Sequence, residues 1–106
     1  MKIKTWNIEA ITGYKPQTTF YQDFSIADKF GVAAIKDTYN RAFRDWKTDH
    51  IYLTELVLAL NWKIWEHCET NDRYAVLYDE LWRKTADYAV ENLKGEELRY
   101  YFETTD

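Results

Sequence analysis

The sequence has little of what β-rich and disulfide-bonded domains require. Its 106 residues include three glycines and one proline, too few for the many tight turns of a β-sandwich or barrel. The one cysteine cannot form an internal disulfide, so nothing indicates an oxidising compartment. The longest apolar run, Leu56 to Leu60, is far too short to cross a membrane. The opening Met-Lys-Ile-Lys has no apolar stretch behind it, and this predicts no signal peptide.

The residues that are abundant indicate one folded domain. Apolar residues make up 46% of the chain and charged residues 30%, which is an ordinary composition for a soluble protein. The 5 Trp, 9 Tyr and 5 Phe are far too many for a disordered segment. A chain of this length forms one domain. We therefore expect a single, intracellular, mostly helical domain over residues 1–106.

The periodicity of apolar residues predicts an all-α fold, a three-helix bundle with short terminal elements packed on it. The main helices are expected near residues 25–47, 50–70 and 72–94. The middle helix has two apolar stripes, which is typical of a helix buried between neighbours. A short helix is expected in the tail, residues 95–106. On these stripes the residues predicted to be nearly buried are Leu56, Leu60, Leu77 and Leu81.

The first 24 residues are predicted to be irregular. Trp6, Ile8 and Ala10 alternate as in a strand, but a short helix from Trp6 to Thr12 fits equally well. Gly13 and Pro16 indicate a turn.

Two pairs of residues have the spacing of a capping box. Thr19 and Gln22 would allow a turn of helix to begin there, and Ser25 and Asp28 precede the first main helix. Gly31 is expected to bend or break that helix.

Four stretches of the chain resemble a family of small hypothetical proteins of phages and prophages of Gram-positive bacteria. They are TTFYQDFSIADKFG from Thr18, DTYNRAFRDWKTD from Asp37, YLTELVLALNWKIWEH from Tyr52 and YDELWRKTADYAVENLKGEEL from Tyr78. The resemblance carries over no catalytic or binding residue. It implies a phage accessory protein in the cytoplasm of a bacterial host, in a setting rich in small inhibitors such as anti-CRISPR proteins.

The segment SIADKFGV resembles the first half of a helix-turn-helix, with Ala27, Gly31 and Val32 at suitable spacing. The second half departs from that pattern, because Asp37 stands where such motifs bury an aliphatic residue, and Asn40 follows three residues later. Acidic residues also interrupt the basic ones. A small DNA-binding regulator using residues 25–47 is therefore the second hypothesis, and a bent structural helix is the alternative.

No set of residues predicts an enzyme, a metal site or a cofactor. His67 and Cys68 lie between Glu66 and Glu69, but adjacent residues on a helix do not face the same way, and zinc sites require repeated spaced pairs. A nucleophilic Cys68 would need a remote base, for which His50 is the available candidate. A small buried cysteine is the preferred interpretation.

Aromatic side chains and the acidic end of the chain are the candidate interaction residues. Residues 66–106 carry 11 acidic and 5 basic side chains, whereas residues 1–65 carry 7 acidic and 9 basic side chains. An acidic end repels nucleic acid and attracts a basic groove, and Trp and Tyr often anchor protein interfaces. The leading hypothesis is therefore a protein–protein interaction, either with a host protein that has a basic groove or in a homodimer. The candidates are Asp87, Glu91, Glu96, Glu97 and Glu103 at the acidic end, and Trp62, Trp65, Trp82, Tyr100 and Tyr101 among the aromatics.

Overall fold

A computed structural model describes residues 17–67 and 71–105, and every regular element in these ranges is an α-helix. The all-α class is therefore confirmed. The strand-or-helix alternative for Trp6 to Thr12 and the turn at Gly13 and Pro16 lie outside the described residues. The helices are α1 (Phe20–Asp28), α2 (Val32–Trp46), α3 (His50–Trp65), α4 (Asp72–Asn92) and α5 (Glu96–Thr105).

The predicted division into three main helices is not confirmed, because the first of them is two helices. Gly31 has φ 104° and ψ −178°, a backbone conformation that L-residues with a side chain rarely adopt. The chain therefore breaks there, and α1 and α2 pack against each other.

Helix α1 begins five residues earlier than predicted, inside the segment expected to be irregular. Its buried residues Phe20, Phe24 and Ala27 are four and three apart, which places them on one face of a helix. Thr19 precedes the helix, but its hydroxyl binds the Asp23 carboxylate at 3.1 Å and makes no capping bond. Ser25 lies within α1 and donates to the carbonyl of Tyr21 at 2.9 Å, so it does not begin a helix.

Helix α3 occupies the centre of the fold, as its two apolar stripes predict, and it contacts all four other helices. Its N-terminus is capped by Asp49, whose carboxylate accepts a hydrogen bond from the amide of Ile51 at 3.0 Å. Leu53, Leu56, Val57 and Leu60 are fully buried. The helix ends at Trp65, five residues before the predicted end near residue 70.

Helices α4 and α5 close the core from the C-terminal side. Asn71 caps α4 by accepting from the amide of Arg73 at 3.0 Å. Leu77 and Leu81 are buried with Leu56 and Leu60, so all four predicted core leucines are confirmed. The hydroxyl of Tyr39 on α2 donates to the carbonyl of Leu81 at 3.0 Å and ties α2 to α4. Among the described helices, none is both long enough and apolar enough to span a bilayer.

Candidate interaction surface

An open groove of about 510 Å³ lies between α1 and α2; we call it the α1–α2 groove. Three alanines, Ala27, Ala34 and Ala42, are among its lining residues, and their small side chains fill little of the space. Large apolar side chains stand around them, where Phe30 is 78% exposed, Ile26 60% and Trp46 40%. A surface of this kind allows a partner to approach the helix backbones closely and to bury apolar area.

The position of these apolar side chains follows from the local sequence. Helix α1 turns Phe20, Phe24 and Ala27 toward the core, so Ile26, two residues after Phe24, points away from it. Phe30 comes after the last helical residue of α1 and directly before the break at Gly31. The short α1 thus leaves two large apolar side chains without a place in the core.

Carboxylates predominate among the charged residues of the groove. Asp23, Asp37 and Asp45 line it together with one cation, Arg41. Arg41 lies 3.5 Å from Asp37, measured from Nε to Oδ2, and Arg44 lies 3.2 Å from Asp45. The lining therefore combines apolar side chains with an excess of carboxylates.

The same ion pairs bear on the DNA-binding hypothesis for residues 25–47. Besides the two arginines, Lys36 on α2 lies 2.8 Å from Glu80 on α4. A DNA-reading helix attracts phosphates with lysine and arginine. Because these basic side chains of α2 already contact carboxylates, much of their attraction for phosphates is cancelled.

A group of polar side chains, which we call the Asp28 cluster, anchors the C-terminal end of α1 to α3 and α4. The Asp28 carboxylate lies 2.9 Å from His67 Nε2 and 4.0 Å from Lys63 Nζ, and it accepts a hydrogen bond from the Tyr74 hydroxyl. The rings of His67 and Tyr74 stack with centroids 4.0 Å apart.

Glu66 extends the Asp28 cluster. It lies 2.7 Å from Lys63 and accepts a hydrogen bond from the hydroxyl of Tyr21. This cluster holds one wall of the α1–α2 groove in place.

The environment of the Asp28 cluster favours an ionised carboxylate. Burial alone would raise the pKa of Asp28, but hydrogen bonds from Tyr74 and His67, with the nearby charges of His67 and Lys63, outweigh burial and lower it. Burial and the bond to Asp28 raise the pKa of Tyr74 to about 12. Asp28 stands in the last turn of α1, where the helix dipole disfavours an anion, so the cluster depends on these partners.

Of the residues considered for metal binding or nucleophilic catalysis, the structure describes Glu66, His67 and His50. His67 contacts Asp28, and Glu66 contacts Lys63 and Tyr21, while Cys68 and Glu69 lie outside the described residues. His50, the first residue of α3, places its Nδ1 2.8 Å from the carboxylate of Glu97 on α5. Within residues 17–67 and 71–105, no three His, Cys, Asp or Glu side chains are grouped closely enough to hold a metal ion.

Two of the five aromatic candidates are buried, so their prediction as interaction residues at the surface is wrong. Trp62 is 2% exposed because α3 is buried on several sides, and Tyr101 is fully buried on the inner face of α5. Trp82 and Tyr100 are half-buried. Trp65, at the end of α3, is 47% exposed and is the one candidate that remains well accessible.

The five acidic candidates are all exposed. Glu97 pairs with His50, and Glu103 lies 2.9 Å from Arg99 on the same helix. Among the described residues, no cation is paired with Asp87, Glu91 or Glu96. The acidic end therefore keeps an excess of negative charge on α4 and at the start of α5.

Comparison of the chain with protein-family models, with curated proteins and with solved structures gives no match.

Proposed function

We propose that this protein acts by protein–protein interaction and that the α1–α2 groove is its binding surface. The observation that carries the proposal is the exposure of Phe30, Ile26 and Trp46 around one groove. Of the seven large apolar side chains exposed in the described residues, three line this groove. Single exposed apolar residues are ordinary, whereas a cluster is typical of an interaction site.

The energetics of binding support this choice of surface. Each square ångström of apolar area removed from water contributes roughly 25 cal/mol, and a few large side chains supply most of the affinity at a protein interface. Phe30 and Trp46 are the aromatic side chains that the groove offers for this purpose. Trp46 also packs on Tyr52, with ring centroids 4.3 Å apart, and this holds its ring in one orientation.

The partner that we propose is a host protein with a basic surface. Both the lining of the groove and the acidic end carry excess negative charge. The resemblance to phage and prophage proteins supplies the setting, in which the protein is an accessory that occupies and inhibits a nucleic-acid-binding or defence protein of the bacterial host. In this proposal the protein has no catalytic role.

The groove is tested by capture from the lysate of a Gram-positive bacterium. The wild-type protein and Val90→Asp are expected to retain the same partner, and Phe30→Asp is expected to lose it, because the charge is placed in the apolar contact. Val90 is the matched control, since it is an apolar residue of α4 that is 59% exposed and lies outside the groove. Quantitative mass spectrometry measures the retained proteins.

Equal capture by all three proteins would contradict the assignment of the groove. Circular dichroism and thermal unfolding of each variant establish that the fold is retained. Retardation of duplex DNA by the wild-type protein at low salt, weakening as salt rises, would instead favour the DNA-binding regulator.

The acidic end is tested separately with Glu91→Lys and Glu96→Lys in one chain. Both side chains are exposed, so the free energy of unfolding should change by less than about 0.5 kcal/mol per substitution. Association with the captured partner should slow, and more at low salt than at high salt, because exposed charges act mainly on the rate of encounter. Association rates at two salt concentrations measure the effect. Equal rates for the variant and the wild type at both concentrations would mean that this end is only a solvated surface.

A further inference from the structure

We infer that the occupant of the α1–α2 groove is an amphipathic helix of the partner with lysine or arginine beside its apolar face. This inference rests on the proposed function, because it takes the groove to be the binding surface. It names the chemistry of the partner segment from the dimensions, the backbone and the charges of the groove.

The dimensions of the groove fit a helix of about three turns. On α2 its lining runs from Ala34 to Trp46, which is about 18 Å at 1.5 Å per residue. The three alanines of the lining project little from α1 and α2, so an incoming helix can pack over them and against Phe30 and Trp46. An incoming helix would meet these side chains with apolar residues three and four apart.

The backbone of the described residues favours a helix over an extended peptide. One way to bind an extended peptide is to add it as a strand to the open edge of a sheet. Both walls of the groove are helices, whose backbone groups are hydrogen-bonded within each helix. The groove therefore offers side chains to a partner and not a row of free amides and carbonyls. An amphipathic helix binds to a groove through such side-chain contacts.

The charges of the lining favour a basic partner over a second copy of this chain. Three carboxylates line the groove against the single cation Arg41. Asp37 and Asp45 on α2 already contact Arg41 and Arg44. Asp23 on α1 is paired with no cation among the described residues, so the lining keeps an excess of negative charge. A two-fold symmetric contact presents the same surface from both subunits and would place two surfaces of the same negative sign in one interface. A basic side chain on an incoming helix would instead pair with Asp23.

The inference is tested with a displayed library of fully random 15-residue peptides. Peptides are selected on the full-length wild-type protein and depleted on Phe30→Asp, so that the survivors depend on the groove. The expected survivors have apolar residues three and four positions apart and an excess of lysine and arginine. Survivors with alternating apolar residues, with proline-rich segments or with net negative charge would overturn the inference. It would also be overturned if no selected peptide depended on Phe30.

Direct binding of the most enriched peptide separates local from long-range charge. Asp45→Lys is expected to weaken binding about tenfold, because it replaces a carboxylate of the lining by a cation that repels the basic residues of the peptide. Asp79→Lys changes the net charge of the protein by the same amount at an exposed position of α4 that lies outside both the groove and the acidic end, and it should change binding less than about twofold. Equal weakening by both variants would mean that only net charge is recognised and would overturn the inference.

The experiment separates this inference from the proposed function. If the lysate partner is lost with Phe30→Asp while the selected peptides are not basic helices, the groove is the binding surface and the inferred occupant is wrong. If neither the partner nor any peptide depends on Phe30, both are wrong. Amide chemical-shift changes in the wild-type protein on addition of the enriched peptide should fall on α1 and α2, and this needs no variant to fold.

Discussion

Replacing Leu60 by Ala is expected to lower the free energy of unfolding by about 2–5 kcal/mol. Leu60 is fully buried on α3, the helix that contacts all four others. The substitution removes apolar contacts and leaves a cavity that these helices cannot close without moving together. Domains of this size are stable by only about 5–15 kcal/mol, so the loss is a large share of the total. Urea denaturation at neutral pH measures it.

Val90→Ala is the control for the Leu60 substitution. Val90 also lies in a helix but is 59% exposed, so its truncation should change the free energy of unfolding by less than about 0.5 kcal/mol. A similar small loss in Leu60→Ala would mean that α3 does not carry the core. A change in the denaturant slope would instead indicate a change in the denatured state or in cooperativity.

The central helices could be predicted from sequence because several local signals agree. Leu56 and Leu60 continue a stripe at spacings of three and four, and Leu77 and Leu81 do the same on the next helix. Thr48 or Asp49 and Asn71 or Asp72 are residue types that cap helices where α3 and α4 begin, and the structure uses Asp49 and Asn71, each accepting from the amide two residues later. Each of these signals depends on residues within one or two turns of each other.

The start of α1 and the break before α2 were harder to predict. Thr19 with Gln22 and Ser25 with Asp28 give two capping signals of equal quality, and only the burial of Phe20 and Phe24 decides for the earlier start. A glycine within a helical pattern is compatible with a bend or a break. The packing of α1 against α3 and α2 accompanies a break at Gly31 and not a bend. Those contacts cannot be seen in a local sequence pattern.

The candidate interaction surface was largely invisible in the sequence. Trp62 and Trp65 are three residues apart on the same helix, yet one is buried and the other is exposed, because burial depends on which neighbours cover each face. Ile26 and Phe30 carry a signal that could have been used: they are four apart and lie off the buried stripe of α1. The sequence alone does not show that α2 leaves a groove beside them.

The Asp28 cluster has no sequence signature, because its members come from distant parts of the chain. Asp28 meets His67 39 residues later and Tyr74 46 residues later. Residues so far apart have no fixed spacing that a motif could record. The sequence predicts no metal site at His67 and Cys68, and no local pattern shows that His67 lies beside a carboxylate of α1.

Replacing Asp28 by Ala is expected to lower the free energy of unfolding by about 2 kcal/mol at pH 7, because hydrogen bonds to a charged group contribute about 1.5–3 kcal/mol. Tyr74, His67 and Lys63 all lose the same partner. Asp79→Ala is the matched control, since it removes an exposed carboxylate 3.1 Å from Arg83 on α4. Exposed pairs of that kind contribute at most about 1 kcal/mol.

The difference between the wild type and Asp28→Ala should also depend on pH in one direction. The pKa of Asp28 in the folded protein lies below its ordinary value of 3.8, so folding favours the carboxylate. Its contribution is therefore complete above that value and is lost as the pH falls through the lower folded pKa. Urea denaturation between pH 7 and pH 2.5 should show the two curves converging on the acid side, while Asp79→Ala stays nearly parallel to the wild type. A difference that persists unchanged at the lowest pH would mean that Asp28 stabilises α1 through packing and not through its charge.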